Sequence, residues 1–227
     1  MSESRFPTSP RSKPRQHPER GTFDRETVYS ILDEGLIAHV GIVVDGQPFV
    51  LPMGYGRRGD SLFLHGSRIS RLLGELADGA PVCVSVTLVD GLVVARSTFS
   101  SSMNYRSVVA FGRARRVEGD EARRAALRVI TEHLIPGRDA EVRPSTAKEL
   151  AATEIVEVAI EEATAKTRSG GPKDPPEDVR LPTWAGVLPL AVAQGAPIPA
   201  VDLPAGVEAP KSLLPWLRPG AIARSGE

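Results

Sequence analysis

The chain has 227 residues, 41% of them hydrophobic and 25% charged, with Lys+Arg and Asp+Glu both at 28. That length and composition build a sizeable buried core in one large domain or two small ones, and zero formal charge removes the basic field on which nucleic-acid binding relies. No run of about 18 apolar residues marks a membrane span, and no apolar signal core opens the chain, so a cytoplasmic protein is expected. Cys83 is the single cysteine, which excludes an intramolecular disulfide and a cysteine-based metal cluster.

Residues 1–20 carry Pro7, Pro10, Pro14 and Pro18 among serines, and Arg5, Arg11, Lys13, Arg15 and Arg20 outnumber Glu3 and Glu19. This composition reads as a disordered or draped arm, without the aromatic interleaving that stacks on bases. Thr22 or Asp24 can cap a short helix with the stripe Val28, Ile31, Leu32, stopped at Gly35. Two apolar runs follow, Leu36–Val44 and Gln47–Tyr55, and Asp45-Gly46 between them is a type I′ hairpin turn. Pro48 and Pro52 cannot donate to a ladder, so the second run belongs at a sheet edge or carries a bulge.

A third strand, Ser61–Gly66, leads into a helix over Ser67–Asp78 with Ser67 as N-cap and Gly79 after its end. Strands are expected at Val82–Leu88 and Leu92–Arg96, then from about Asn104 to Val117. In this last strand, alternation places Tyr105, Ser107, Val109 and Phe111 on one face and Asn104, Arg106, Val108 and Ala110 on the other. Asp120 can cap a helix ending at Pro136-Gly137, and Thr146 with Glu149 fits a capping box before a last strand, Glu154–Ala163. Eleven of the 20 prolines lie between Pro172 and Pro219, yet this stretch carries Trp184 and Leu188-Pro189-Leu190. An extension partly packed on the domain or on a second copy is expected over 171–227, with the residues after about Pro204 loose.

At least six strands in hairpin order with few helices predict a mainly β (α+β) fold, an antiparallel barrel of six to seven strands that closes to remove exposed edges. The domain then spans 21–170. Three polar groups stand out: Met53-Gly54-Tyr55, His65-Gly66-Ser67 with Ser70 and Arg71, and Tyr105-Arg106-Ser107. Arginine forks, serine hydroxyls and a helix start suit a phosphate, and Gly54 leaves room for a flat ring. The plainer alternatives are a hydrogen-bonded strand-end His65, a solvated Arg71 and a Ser67 that only caps a helix. The four histidines and one cysteine show no metal-ligand spacing.

Leu62-Phe63-Leu64-His65-Gly66-Ser67, Ala95-Arg96-Ser97, Met103–Val108 and Phe111-Gly112-Arg113-Ala114 resemble the pyridoxamine 5′-phosphate oxidase-like flavoproteins, and among them the nitroimidazole-resistance branch. The tail Lys166–Pro172 and Trp184–Leu190 is similar to that branch as well. The resemblance implies a split barrel that binds FMN at the interface of a homodimer. Met53, Gly54 and Tyr55 would line the ring, and His65, Ser67, Ser70 and Arg71 would lie near the ribityl phosphate. Tyr105, Arg106 and Ser107 would complete the pocket, and the tail around Trp184 would cover the partner's flavin. It implies an FMN-dependent oxidoreductase acting on a small-molecule substrate or electron donor, with no nucleic acid and no membrane involved. A non-catalytic flavin- or haem-binding protein is the alternative. Ser100 and Ser101 stand where that branch often has histidine, which removes a haem-ligating or catalytic histidine from this loop. No catalytic acid or base is identified.

Overall fold

The structure, a computed structural model, describes residues 4–213. Six long strands close on themselves: β2 (Ile37–Val44), β3 (Gln47–Arg58), β4 (Ser61–Ser67), β5 (Pro81–Val94), β6 (Ser102–Arg116) and β7 (Thr153–Arg168). Their order around the barrel is β7-β4-β3-β2-β5-β6, and β6 pairs with β7 to complete the ring. All neighbours run antiparallel. Two short strands add to it: β1 (Gly21–Thr22) on β7 and β8 (Gly186–Pro189) on β5. The expected antiparallel barrel is therefore present, with these two short strands appended.

Local chemistry explains most of the connections. Asp45 and Gly46 take φ of 51° and 76°, the paired left-handed conformations of a type I′ turn, and fix the β2–β3 register. The expected two strands on either side of Asp90 are one strand, β5, with an irregularity between Val89 and Gly91 that absorbs the extra residue. β7 runs five residues beyond the expected Ala163, because β6 offers it partners up to Arg168.

The barrel interior is filled by alternate residues of the strands, among them Val40, Leu62, Leu64, Val84, Val108, Val156 and Val158. Helix α1 (Arg25–Glu34), capped by the Asp24 carboxylate on Thr27 N–H at 2.8 Å, adds Val28, Ile31 and Leu32 to the same core. Helix α2 (Arg71–Ala77) adds Leu72, Leu73 and Leu76. Its N-cap is Ser70, not Ser67, and Ile69 is 93% exposed outside the helix, so the expected start was one turn too early. Helix α3 (Asp120–Leu134) lies on the outside of the barrel over a second cluster with Phe63, Ala126, Ile130 and Ile155. Gly56 is what admits it: a Cβ there would stand 2.6 Å from Val129 O. Helix α4 (Ala147–Ala152) opens with the expected capping box of Thr146 and Glu149.

The N-terminal arm is docked from Ser4 on: of the two expected states, disordered or draped, it takes the draped one. Phe6 is 3% exposed, edge-on to Tyr29 with ring centroids 5.9 Å apart, and the Arg25 guanidinium covers its other side at 4.1 Å. Arg11 bridges Glu161 and Glu162 at 3.1 and 2.8 Å, and Thr164 Oγ1 donates to Ser12 O at 2.5 Å. One aromatic anchor and these polar bonds offset the ordering of a proline-stiffened segment. The proline-rich extension is anchored by β8 and by Asp174, which accepts from Arg96 N and Arg96 Nη1 at 3.0 and 2.7 Å. Further on, Ser212 N donates to Glu141 at 3.0 Å, so the stretch after Pro204 is tethered as far as Leu213. The rest of the segment expected to be loose lies outside the described residues.

Phe6→Ala should release the arm: trypsin cleavage at Arg11, Lys13 and Arg15 should accelerate about tenfold or more, while the barrel keeps its melting temperature within a few degrees. Acid should do the same. Hydrogen bonds from Ser12, then Ser9 and Arg11, hold the Glu162 carboxyl at about 2, against an unfolded value near 4.5. Its contribution to docking is complete above about pH 4.5 and is lost as pH falls towards about 2. In an exchange experiment the arm's amides should lose protection over that window, and Glu162→Gln should remove the dependence.

Candidate functional site

Closure of the barrel leaves a long unpaired edge on β3. Residues 47–54 of β3 pair with β2 on one side, while β4 takes up the other side of β3 only from Tyr55 to Arg58. Among the described residues no strand pairs with the second edge of Gln47–Gly54. Pro48 and Pro52 fit this place, since a strand with one open edge tolerates missing N–H groups. Phe49, Val50 and Leu51 are exposed there at 37%, 64% and 44%, and Met53 packs half-buried against the core.

The end of β4 and the start of α2 lie beside this edge. The Arg71 guanidinium sits over the Phe49 ring at 5.0 Å and reaches Asp45 Oδ2 at 3.4 Å. It is 60% exposed and held by one weak ion pair, so its remaining donors are available to an anion. Ser67 Oγ accepts from Ile69 N and Ser70 Oγ from Leu73 N, both at a loose 3.4 Å. His65 is exposed, yet the protein atoms around it push its imidazole below the ordinary histidine value. The structure thus sets Ser67, Ser70 and Arg71 at the end of β4 and start of α2 beside Phe49 of the β3 edge; Met53 packs against the core and His65 is on the outward face of β4.

Three expected site residues are placed differently. Tyr55 is fully buried; its hydroxyl donates to Leu32 O and its ring stacks on His133 at 4.5 Å, so it is a core residue and lines no surface. The space above Gly54 is taken by Leu134, 3.5 Å from where a Cβ would stand, and no ring approaches from that side. Arg106 is saturated by carboxylates. It donates through Nε and Nη2 to Asp90 at 3.0 and 2.8 Å, and through Nη1 and Nη2 to Glu34. Glu34 first and Asp90 second raise its already high pKa. It ties the end of α1 to the β5 irregularity and offers nothing to a phosphate.

Tyr105 and Ser107 are on the other face of β6, as alternation requires, and Ser107 Oγ donates to Lys166 O at 3.2 Å. They belong to a broad outer face that the register defines. Ile37, His39, Gly41 and Val43 of β2 stand beside Pro48, Val50 and Pro52 of β3, then Cys83, Ser85, Thr87 and Val89 of β5, then Tyr105, Ser107, Val109 and Phe111 of β6. Ile37, Val43, Val50, Val89 and Val109 are all at least 36% exposed. The face continues through Leu92, Met103 and Leu188 onto the β5–β6–β8 arm, whose connecting loop presents Phe99 at 98% exposure. The apolar edge of Phe49 and Leu51 and the position of His39 were missed from sequence. The two prolines and the alternation of β2 carried the signal for both.

Residues 24–167 match the family described as pyridoxamine 5′-phosphate oxidase. The chain belongs to this family. Solved structures agree. The FAD and heme binding protein from Mycobacterium smegmatis is 45% identical over 86% of this chain and 96% of its own, with a TM-score of 0.82. The flavocytochrome Anf3 from Azotobacter vinelandii is 38% identical over 91% of this chain and 96% of its own, at 0.85. A 5-nitroimidazole antibiotic resistance protein from Bacteroides thetaiotaomicron, 24% identical over 64% of this chain and 85% of its own, shares the fold at 0.55. No curated protein matches the chain. Among the described residues no helix is long and apolar enough to cross a membrane.

Arg106→Ala should strand Glu34 and Asp90 against each other and destabilise the protein by about 1–3 kcal/mol, the buried-pair cost reduced for partial exposure. Thermal unfolding checks this. The triple variant Glu34→Gln, Asp90→Asn, Arg106→Met should recover most of the loss.

Proposed function

We propose that this member of the pyridoxamine 5′-phosphate oxidase family binds a flavin nucleotide and, as a pair of identical chains, exchanges electrons between it and a small molecule. The observation that carries the reading is the open edge of β3 beside Arg71. A flavin is flat, with donors and acceptors along one ring edge and a phosphate on a flexible chain. The free backbone groups of 47–54 suit the ring edge, Leu51 and Met53 suit its apolar face, and Arg71 with Ser67 and Ser70 suit the phosphate. α2 is only seven residues long, so the phosphate is assigned to side chains and not to a helix dipole. A bound flavin supplies reversible one- and two-electron chemistry at its ring. The protein's part is to hold the ring against the strand, to shield it and to admit the reacting partner.

The flavin was expected to be FMN; the Mycobacterium smegmatis relative is described as binding FAD. Both carry the ring and the first phosphate that these residues address. Pairing of two copies is supported by the outer sheet face. It mixes exposed apolar residues with uncharged polar ones from Val43 to Tyr105, and a charge comes onto it at Phe111, under the Arg11 guanidinium. The β5–β6–β8 arm with Phe99 and Trp184, both exposed, then extends towards the second copy. This reading places the protein in the cytoplasm, where a lone free thiol such as Cys83 is at home.

A haem is the second reading. The two structures most similar in sequence among those above are described as a heme binding protein and a flavocytochrome. Ser100 and Ser101 supply no ligand, whereas His65 is exposed, and desolvation lowers its pKa towards the neutral, ligating form. His65→Ala should then abolish a Soret band on haem addition and leave flavin binding within about twofold.

The protein purified under native conditions should be yellow, with about one flavin per chain, identified by mass after release. Arg71→Ala should weaken binding by about 1.5–3 kcal/mol, roughly 10- to 150-fold, as a charge-assisted phosphate bond requires. Bleaching by a reduced nicotinamide or deazaflavin and reoxidation by an acceptor distinguishes an enzyme from a carrier. A colourless protein that ignores added FMN and FAD would overturn the reading.

A further inference from the structure

What the free edge of β3 can bind depends on which residues turn their N–H and C=O groups along it, and two turns fix that independently. Asp45-Gly46 is a two-residue loop, so its flanking residues, Val44 and Gln47, exchange both hydrogen bonds. Alternation then turns the backbone groups of 47, 49, 51 and 53 towards β2 and those of 48, 50 and 52 away from it. At the other end of β3, Gly59, with φ of 58°, and Asp60 form a second two-residue loop closed by Arg58 and Ser61. Even-numbered residues therefore address β4, and where β4 stops they address the free edge. Both turns place Pro48 and Pro52 there. The unbroken pairing of Val43 with Pro48 and of His39 with Pro52 agrees, since a proline nitrogen turned towards β2 would interrupt that ladder.

Between 48 and 52 the edge thus carries three carbonyls and a single N–H, that of Val50. In other respects it invites another strand: Phe49, Val50 and Leu51 are an exposed β-type run, and among the described residues no strand covers them. A second copy of this edge, laid antiparallel about a two-fold axis at Val50, would set Pro48 of each chain against Pro52 of the other. Of the six N–H groups that such a ladder uses, the four on proline are missing, and only the two Val50 bonds form. Four carbonyls would face each other's prolines without a donor, which is costly once water is excluded. A flat ring that offers a donor beside an acceptor needs no more than Val50 supplies. We propose that Pro48 and Pro52 close this edge to strand addition by a second copy of the chain while leaving it open to a small ligand. The exclusion stands on the fold alone; that the spared edge serves a flavin rests on the reading above.

The double variant Pro48→Thr, Pro52→Thr restores the missing N–H groups, and it is compared with the wild type as the full-length chain after release of any bound flavin. Sedimentation velocity over a concentration series should show species larger than those of the wild type, with association about tenfold tighter or more, and each single variant should fall between. Hydrogen–deuterium exchange should find the amides of residues 48, 50 and 52 slowed in the double variant, with β5 and β7 as protected as in the wild type. That pattern separates edge pairing from aggregation of an unfolded chain; if the double variant loses barrel protection, the single variants are read in the same way. A folded variant that sediments as the wild type does overturns the role of the prolines and leaves the flavin reading standing. Larger species without protection at 48–52 overturn it as well. Larger species with that protection, which saturating FMN fails to disperse, uphold the proline block and overturn the placement of the flavin at this edge.

Discussion

Pairing of β6 with β7 turns an open sheet into a ring, and the rest of the molecule follows from that closure. A ring has no edges to protect, so every backbone group in it is satisfied by a neighbour except where a strand outruns its partner. β3 does so over residues 47–54. Such an open edge is where a ligand finds backbone donors and acceptors that are fixed in direction. The fold therefore makes the candidate site by subtraction: pairing is withheld from eight residues and the polar end of β4 is left facing them.

Closure also divides the side chains cleanly. Inward positions are filled by valine, leucine and the stripes of α1 and α2. Outward positions serve three uses. α3 takes the face behind Gly54 and Gly56, the N-terminal arm takes the β7 side and reaches Phe111 of β6 through Arg11, and the faces of β2 and β5 keep exposed apolar residues such as Ile37, Val43 and Val89. A patch of that composition on an ordinary globular protein marks a contact surface. The candidate site lies at its border, since β3 contributes both Val50 to the outer face and Leu51 to the open edge.

Much of the architecture was legible in the sequence because local rules decide it. Asp45-Gly46 admits one hairpin turn, Thr146 and Glu149 admit one helix start, and Pro48 with Pro52 announce an edge. The site was legible in part. Ser70 and Arg71, singled out in the sequence, stand at the start of α2 beside Phe49, but Ser67 was given the cap that Ser70 holds, because two serines three residues apart fit equally well before an apolar stripe. What failed were statements about partners. Arg106 has the chemistry of a phosphate ligand, and only the fold reveals that Glu34, 72 positions away, and Asp90 already hold it. Tyr55 follows the exposed run 47–52 in sequence, yet its own side chain is fully buried in the core. Composition left the arm disordered or draped, and a single Phe6 in a slot beside Tyr29 decides for the draped state. Composition averages over such anchors and long-range pairs do not show in it.

The central claim is that the free edge of β3 is a flavin site. Hydrogen–deuterium exchange of the flavin-stripped protein, with and without added FMN, addresses it residue by residue. Binding at this edge predicts slowed exchange in 49–54 and in 65–73, with the amides of β5 and β7 inside the barrel unchanged. Protection that appears elsewhere, with 49–54 still exchanging freely under saturating FMN, would contradict it.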